Sequence, residues 1–346
     1  MYRIGVIGNF DRSNAFDGQT IKTLEIVNAL TRKYGEKNIG QFSYHAIKKN
    51  PAKLFSMMFS AVKNSKQLVL VIRGAAMNNL VKIVQDINLI FKRPLYFILV
   101  GSSFYDTILD NKALIKRAEK FKAIFVETEK IRNNLKSIGI ENTYLLPNFK
   151  NIKLLKKSEL LYQKKLPFNL VYFARIEPMK GIRECIEVIK EINAHGTIFT
   201  LDIYGSVNKD FIDEFNELQK TFPNYIKYLG IGYSMKSSEI LSKYFLQVFP
   251  TRYKTEGFPA SILDSFFAGT PVVASRWNYY DEIVEEGKTG LSFELDNFDE
   301  LKKILLECAK NPDKTNSMKE NCLKQAKKYL PDNICKKLFE VLEEYE

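Results

Sequence analysis

Residues 246–275, LQVFPTRYKTEGFPASILDSFFAGTPVVAS, constrain this chain more than any other stretch. Leu246–Phe249 is a short apolar run stopped by Pro250. A polar loop, Thr251–Phe258, follows. Pro259 suits the first turn of a helix and Gly269 its end. Thr270–Ala274 is a second apolar run, of the kind that forms a buried strand. The stretch therefore reads strand, loop, helix, strand. Ile262, Leu263, Phe266 and Phe267 form a helix face that would pack on a sheet. Ser261, Asp264, Ser265 and Ala268 form a small, polar one. Glu256 stands just before the helix N-terminus, and Asp264 about two turns further on. Free N–H groups and the positive dipole end favour phosphate there, and the two carboxylates can accept hydrogen bonds from sugar hydroxyls. Phosphate flanked by hydroxyls describes a nucleotide-sugar. The plainer alternative is a core helix with a solvated Asp264.

At 346 residues the chain is too long for one ordinary core and fits two domains. Its 45% apolar and 27% charged content excludes a disordered chain. The start, MYRIGVIGNF, reads as a strand rather than a signal peptide, since Arg3 and Gly5 interrupt any apolar core. No apolar run approaches the roughly 18 residues of a membrane span. Cys185, Cys308, Cys322 and Cys335 lack zinc or CxxC spacing and read as reduced thiols. With only His45 and His195 present, a histidine metal site or a Ser-His-Asp triad is not expected. Charge is uneven. Residues 1–150 hold 24 Lys+Arg against 11 Asp+Glu, a net of +13, and the remainder holds 28 against 29, a net of −1. Such asymmetry points the first half at an anionic partner, nucleic acid or membrane, unless the surplus is undirected.

Along the first half, strands are expected at Arg3–Ile7, Leu68–Ile72, Leu95–Val100, Ala123–Val126 and Thr143–Leu146. Helices are expected at Thr20–Lys33, Met77–Ile90, Tyr105–Lys120 and Glu129–Ile138. This alternation means a mostly parallel α/β sheet covered on both faces, with ligands beyond the strands' carboxyl ends. Arg73-Gly74 and Gly101-Ser102-Ser103 lie at such ends. Strand, glycine-bearing loop and helix at residues 3–33 make a phosphate-cradle layout, without the G-x-G-x-x-G fingerprint. Lys48–Lys66 sets Leu54, Phe55, Met57, Met58, Phe59 and Val62 among five lysines. It reads either as an interfacial helix for an anionic membrane or as an ordinary helix burying Phe55, Met58, Phe59 and Val62. Lys150–Pro167 is lysine-rich and reads as a linker and hinge. A second alternating series starts at Phe168–Ala174. At its first turn, Arg175 leaves a strand and Lys180 precedes a helix at Gly181. An Arg fork and a Lys point charge so placed suit a diphosphate, or are two surface cations by chance.

EGFPASILDSFFAGTPVVAS resembles the signature of family-4 glycosyltransferases, retaining enzymes of the GT-B fold, in which two acids stand eight positions apart. Glu256 matches the first acid and Asp264 the second, one methylene shorter. FARIEPMKG, with Arg175 and Lys180, resembles the same family's G-R-x-x-x-x-K-G. The resemblance implies two Rossmann-like parallel-sheet domains facing each other across a cleft. Residues 1–150 would be the acceptor side and 151–330 the donor domain, with a helix over about 331–346 packing back on the first. It implies that Glu256 meets the donor sugar and Asp264 the ribose. Arg175, Lys180 and the segment Gly257, Phe258, Pro259, Ala260 would hold the diphosphate. Gly18 would match a glycine loop approaching donor phosphates and acceptor, and Gly205 and Gly230–Tyr233 would flank base and ribose. Where many relatives place a histidine, this chain has Gly101, Ser102 and Ser103.

GQTIKT, LPNFK and FPTRYKTEGFP are similar to the branch that builds bacterial capsule, O-antigen or exopolysaccharide. That implies a hexosyl- or N-acetylhexosaminyltransferase taking a nucleotide-sugar, UDP-linked by family habit, to a polyprenyl-diphosphate-linked glycan. No cofactor and no metal are expected, because two cations can neutralise the leaving diphosphate. The expected location is cytoplasmic, on the inner face of the bacterial membrane, bound peripherally through the basic first domain. A nucleotide-sugar 2-epimerase shares the architecture but shows no base cluster here. A nucleic-acid-binding protein fits the charge but not the absence of a recognisable module, so no nucleic-acid partner is expected. A relative that only binds donor is hinted at by Asp264 alone.

Overall fold

Apolar runs and amphipathic helices resolve into two six-stranded sheets in the computed structural model. It describes every residue except 11–17, 48–49, 74–76, 110, 233–235 and 346. The chain divides into two compact units, Met1–Phe149 with Pro331–Glu346, and Lys150–Leu330.

The first unit runs β1 (Tyr2–Gly8), α1 (Gly18–Tyr34), β2 (Ile39–Ser43), α2 (Pro51–Asn64), β3 (Ser65–Arg73) and α3 (Met77–Phe91). It continues through β4 (Leu95–Val100), α4 (Ser103–Ile108), α5 (Lys112–Ala118), β5 (Ala123–Val126), α6 (Glu129–Ser137) and β6 (Thr143–Leu145). The strands pair in parallel in the order β2-β1-β3-β4-β5-β6. β4 is buried along its whole length because helices cover both faces. The α1 side chains Gln19, Thr20, Lys22 and Thr23 are buried as well. Asn9 donates to Thr20 Oγ1 at 2.8 Å, and Lys22 Nζ donates to the carbonyls of Leu146 and Pro147 at 3.1 and 3.0 Å.

The second unit runs β7 (Phe168–Phe173), α7 (Ile182–Ile192), β8 (Phe199–Tyr204), α8 (Ile212–Lys220), β9 (Ile226–Tyr228), α9 (Ser237–Leu241) and β10 (Leu246–Phe249). Then come α10 (Ala260–Phe267), β11 (Val272–Ser275), β12 (Gly290–Phe293), α11 (Phe298–Lys310) and α12 (Pro312–Lys328). The order is β12-β11-β10-β7-β8-β9, again parallel. The last helix, α13 (Pro331–Glu344), puts Cys335, Leu338, Val341 and Leu342 into the first unit's core beside Ile26 and Leu30.

Three local expectations need correction. Tyr105–Lys120 is two helices, because Asn111 accepts from Leu114 N–H at 3.1 Å and caps the second. The edge strands β2 and β12 add to the expected strands. Lys150–Pro167 is no free linker. Leu155 N–H bonds Phe267 O at 3.0 Å, and Leu154, Leu155 and Leu160 pack with Ala268 and Leu323. Its lysines hide an apolar set that buries. Among the described residues no helix is long and apolar enough to cross a membrane.

Candidate functional site

β7 begins the second unit and lies between β10 and β8, so the strand order reverses there. The loops after β7, β8 and β10 therefore leave the sheet side by side, at the place where parallel sheets accept ligands. They interlock closely. Gly205, at φ 153°, lies so near the first loop that a Cβ would stand 1.8 Å from Ala174 O. Gly181, at φ 69°, would bring a Cβ to 2.0 Å from Pro250 O. Only glycine allows that backbone and that approach. Arg252 N–H donates to Met179 O at 2.8 Å, joining the loops across β7 and β10. Beneath them the Tyr172 hydroxyl donates to Arg175 O at 3.0 Å and Lys180 O at 3.4 Å. Burial pushes that phenol's pKa well above its ordinary value.

The interlock brings Lys180 and Glu256, 76 positions apart, into a hydrogen-bonded ion pair. Their side chains are 11% and 16% exposed. The Lys180 ammonium also lies 5.3 Å from the Phe249 ring centre and 5.4 Å from that of Tyr253. Thr251 Oγ1 donates to Glu256 at 3.2 Å. Arg175 stands at the rim, 3.8 Å from Glu177, and Glu177 accepts from Asn208 at 3.0 Å. Burial, then the charge of Glu177, raises the Tyr253 phenol. The loop carrying Glu256 is pinned along its length. Ser275 Oγ donates to Thr251 O at 2.5 Å, Asn278 N–H to Lys254 O at 3.1 Å, and Trp277 Nε1 to Gly257 O at 3.3 Å. The site is a polar cradle with two cations, Lys180 and Arg175, and two carboxylates, Glu256 and Glu177.

α10 starts directly after Pro259, so the first backbone N–H groups of the helix lie at the end of this loop. The Phe258 ring packs edge-on against Tyr329 at 5.2 Å. Asp264, further along α10, is buried. Its Oδ1 accepts from Ser237 Oγ at 2.7 Å and lies 3.2 Å from Lys150 Nζ. Gly18 opens α1 in the first unit, with open space where a Cβ would stand. Among the described residues, no three His, Cys, Asp or Glu side chains gather as a metal site requires.

A family model described as group 1 glycosyl transferases matches residues 151–325, just over half of the chain. The chain belongs to the group 1 glycosyltransferases. An uncharacterized glycosyltransferase of Methanocaldococcus jannaschii is 28% identical over 152 residues, 44% of this chain and 41% of that protein. Among solved structures, Anabaena HepE in complex with UDP aligns at TM-score 0.76 and 16% identity, over 99% of this chain and 100% of that one. The sucrose-phosphate synthase of Thermosynechococcus elongatus aligns at 0.77 and 13%, over 99% of each chain. S. aureus TarM, solved with UDP, aligns at 0.65 and 19%, over 83% of this chain and 58% of its own. The matches thus span well under two thirds of the archaeal protein and of the TarM chain. The fold is GT-B, with two parallel six-stranded Rossmann-like sheets.

For a group 1 glycosyltransferase, the motif residues named from sequence are concentrated in one unit. Arg175, Lys180, Gly205, Glu256, Gly257, Phe258, Pro259, Ala260 and Asp264 all belong to Lys150–Leu330. Gly18 belongs to the other unit. Gly230 and Gly232 follow β9, while 233 and Gly74 fall outside the described residues. Lys150 and Thr251 stand in the quoted stretches LPNFK and FPTRYKTEGFP without a role of their own, and Ser237 carries no sequence signal; Lys150 and Ser237 contact Asp264, and Thr251 contacts Glu256.

Proposed function

We propose that this protein is a retaining glycosyltransferase acting on a UDP-sugar. The acceptor is a hydroxyl of a polyprenyl-diphosphate-linked glycan, in bacterial surface-polysaccharide synthesis. The observation that carries the donor reading is the Lys180–Glu256 pair at the strand-order reversal of the second unit. Family membership supports it, as do the fold relatives HepE, solved with UDP and with UDP-glucose, and TarM, solved with UDP.

The diphosphate takes Lys180, Arg175 and the N–H groups of Gly257, Phe258 and Ala260 at the start of α10. Its charge competes with Glu256 for the Lys180 ammonium. Glu256, released from that pair, accepts hydrogen bonds from the sugar and fixes its anomeric carbon. Asp264 accepts from the ribose. The turn at Gly205 runs beside the nucleoside. The acceptor hydroxyl attacks on the face the diphosphate leaves, and the departing phosphate oxygen takes its proton. No side-chain base is then needed, and positioning and charge stabilisation carry most of the rate. Neither metal nor cofactor enters this scheme.

Membrane attachment through the first unit, on the cytoplasmic face, is part of the proposal. From Lys37 to Gln85 the sequence contains no Asp or Glu and eight Lys or Arg. Within that span α2 exposes Phe55 and Phe59, and beyond it the end of α3 exposes Leu89 and Ile90. Apolar bulk among cations suits an anionic bilayer surface.

The test is turnover with a panel of UDP-hexoses and UDP-N-acetylhexosamines on a polyprenyl-diphosphate monosaccharide, with the anomeric configuration of product read by NMR. The expected result is one donor used with its anomeric configuration kept. Inversion, or turnover to a 2-epimer without acceptor, contradicts the proposal.

A further inference from the structure

Lys150 is the first residue of the second unit, and its side chain is only 2% exposed. Its ammonium lies 3.2 Å from Oδ1 of Asp264, whose side chain is 5% exposed. Ser237 Oγ donates to the same oxygen at 2.7 Å. The backbone N–H of Lys150 donates to Tyr329 O at 3.3 Å, and the Tyr329 ring lies against Phe258 at the head of α10. Lys150 is thus attached to the donor helix twice, through a charge on its body and through Tyr329 at its start.

A buried ion pair is a poor device for stability. Both ions lose hydration, and apolar side chains of the same volume often serve as well or better. What the pair does supply is orientation. Asp264 is one methylene shorter than glutamate, so its reach is fixed by how it is held. Both contacts fall on Oδ1, which directs the carboxylate about that oxygen. Asp264 and Ala260 are four positions apart on α10 and so share a face. A nucleotide whose diphosphate sits at the helix start has its ribose within one helical turn of that carboxylate.

We propose that Lys150 is a positioning residue for nucleotide recognition. With Ser237, it holds Oδ1 of Asp264 so that the other carboxylate oxygen meets the ribose hydroxyls. The proposal rests on the donor-site reading above.

The test compares dissociation constants for UDP and 2′,3′-dideoxy-UDP, by titration calorimetry, in wild type and Lys150→Met. Wild type is expected to favour UDP at least tenfold. Lys150→Met is expected to melt lower, to keep binding UDP through its diphosphate, and to show a ratio close to one. A variant that melts lower but keeps the wild-type ratio shows a purely structural lysine and overturns the proposal. If Lys150→Met does not fold, Lys150→Gln and Ser237→Ala decide. Each is expected to cut the ratio severalfold, and an unchanged ratio in both overturns the proposal. Wild type binding both nucleotides equally overturns it while leaving the donor site standing. Wild type binding neither overturns the donor-site reading and this proposal together.

Discussion

Gly181 and Gly205 hold the loops of the second unit closer than any side chain permits. Gly181→Ala would press a methyl carbon into Pro250 O and strain a left-handed backbone. The expected cost is about 1–3 kcal/mol in chemical denaturation, with UDP binding lost because Lys180 is displaced. A variant as stable as wild type would show that the loops are free to separate. Lys319 tests buried charge. Its ammonium donates to Tyr244 O at 2.8 Å, and burial pulls its pKa down to about 8 from 10.5. Between those values the unfolded chain holds more proton than the folded one, so stability rises with pH. Relative to Lys319→Met, wild type should gain up to about 1.4 kcal/mol per pH unit across that window, and nothing below it. A gap that stays constant from pH 7 to 10.5 would contradict the assignment. Much of this scale is legible in sequence only as residue types. Lys180 and Glu256 each stand in a motif, yet their pairing depends on two loops far apart in the chain. Lys150 ends the quoted stretch LPNFK, yet its pairing with Asp264 shows only in the tertiary structure.

At the scale of elements, α2 buries one apolar set and leaves another exposed. Leu54, Met58, Ala61 and Val62 are buried, whereas Phe55 and Phe59 are exposed, and the Phe59 ring meets Phe91 of α3 at 5.6 Å. Binding to vesicles of anionic phospholipid should fall by about 30-fold in Lys53→Gln/Lys63→Gln, taking roughly 1 kcal/mol per lysine removed from the surface. Phe55→Ser/Phe59→Ser should weaken it without changing its salt dependence. Equal binding to neutral vesicles would contradict the charge argument. Helical and central-strand elements were readable because their apolar spacing is strong, as in β4 and the stretch from β10 to β11. β2 was not, since Gly40 and Gln41 interrupt its apolar run at a sheet edge. The break between α4 and α5 turns on the Asn111 cap, a local hydrogen bond inside an otherwise helical pattern.

Across the whole molecule, two sheets of the same parallel design stand in a chain whose charge is uneven along its sequence. The +13 surplus lies in residues 1–150, and the motif acids and cations lie in the near-neutral remainder. This division was legible from composition and from the two glycosyltransferase motifs. The packing of residues 150–167 on the second unit was not, because exposed lysines dominate that composition. In the proposed function the second unit binds a nucleoside diphosphate-sugar through Lys180 and Glu256. The most direct test is the melting temperature of wild type, Lys180→Ala and Glu256→Ala with UDP and a panel of UDP-sugars. A ligand at 100 times its dissociation constant stabilises a fold by about 2.7 kcal/mol, enough to read as a shift. UDP should raise the wild-type midpoint, and one UDP-sugar should raise it further. Lys180→Ala should lose both increments, and Glu256→Ala only the sugar's. A wild-type midpoint unmoved by every nucleotide would contradict the proposed function.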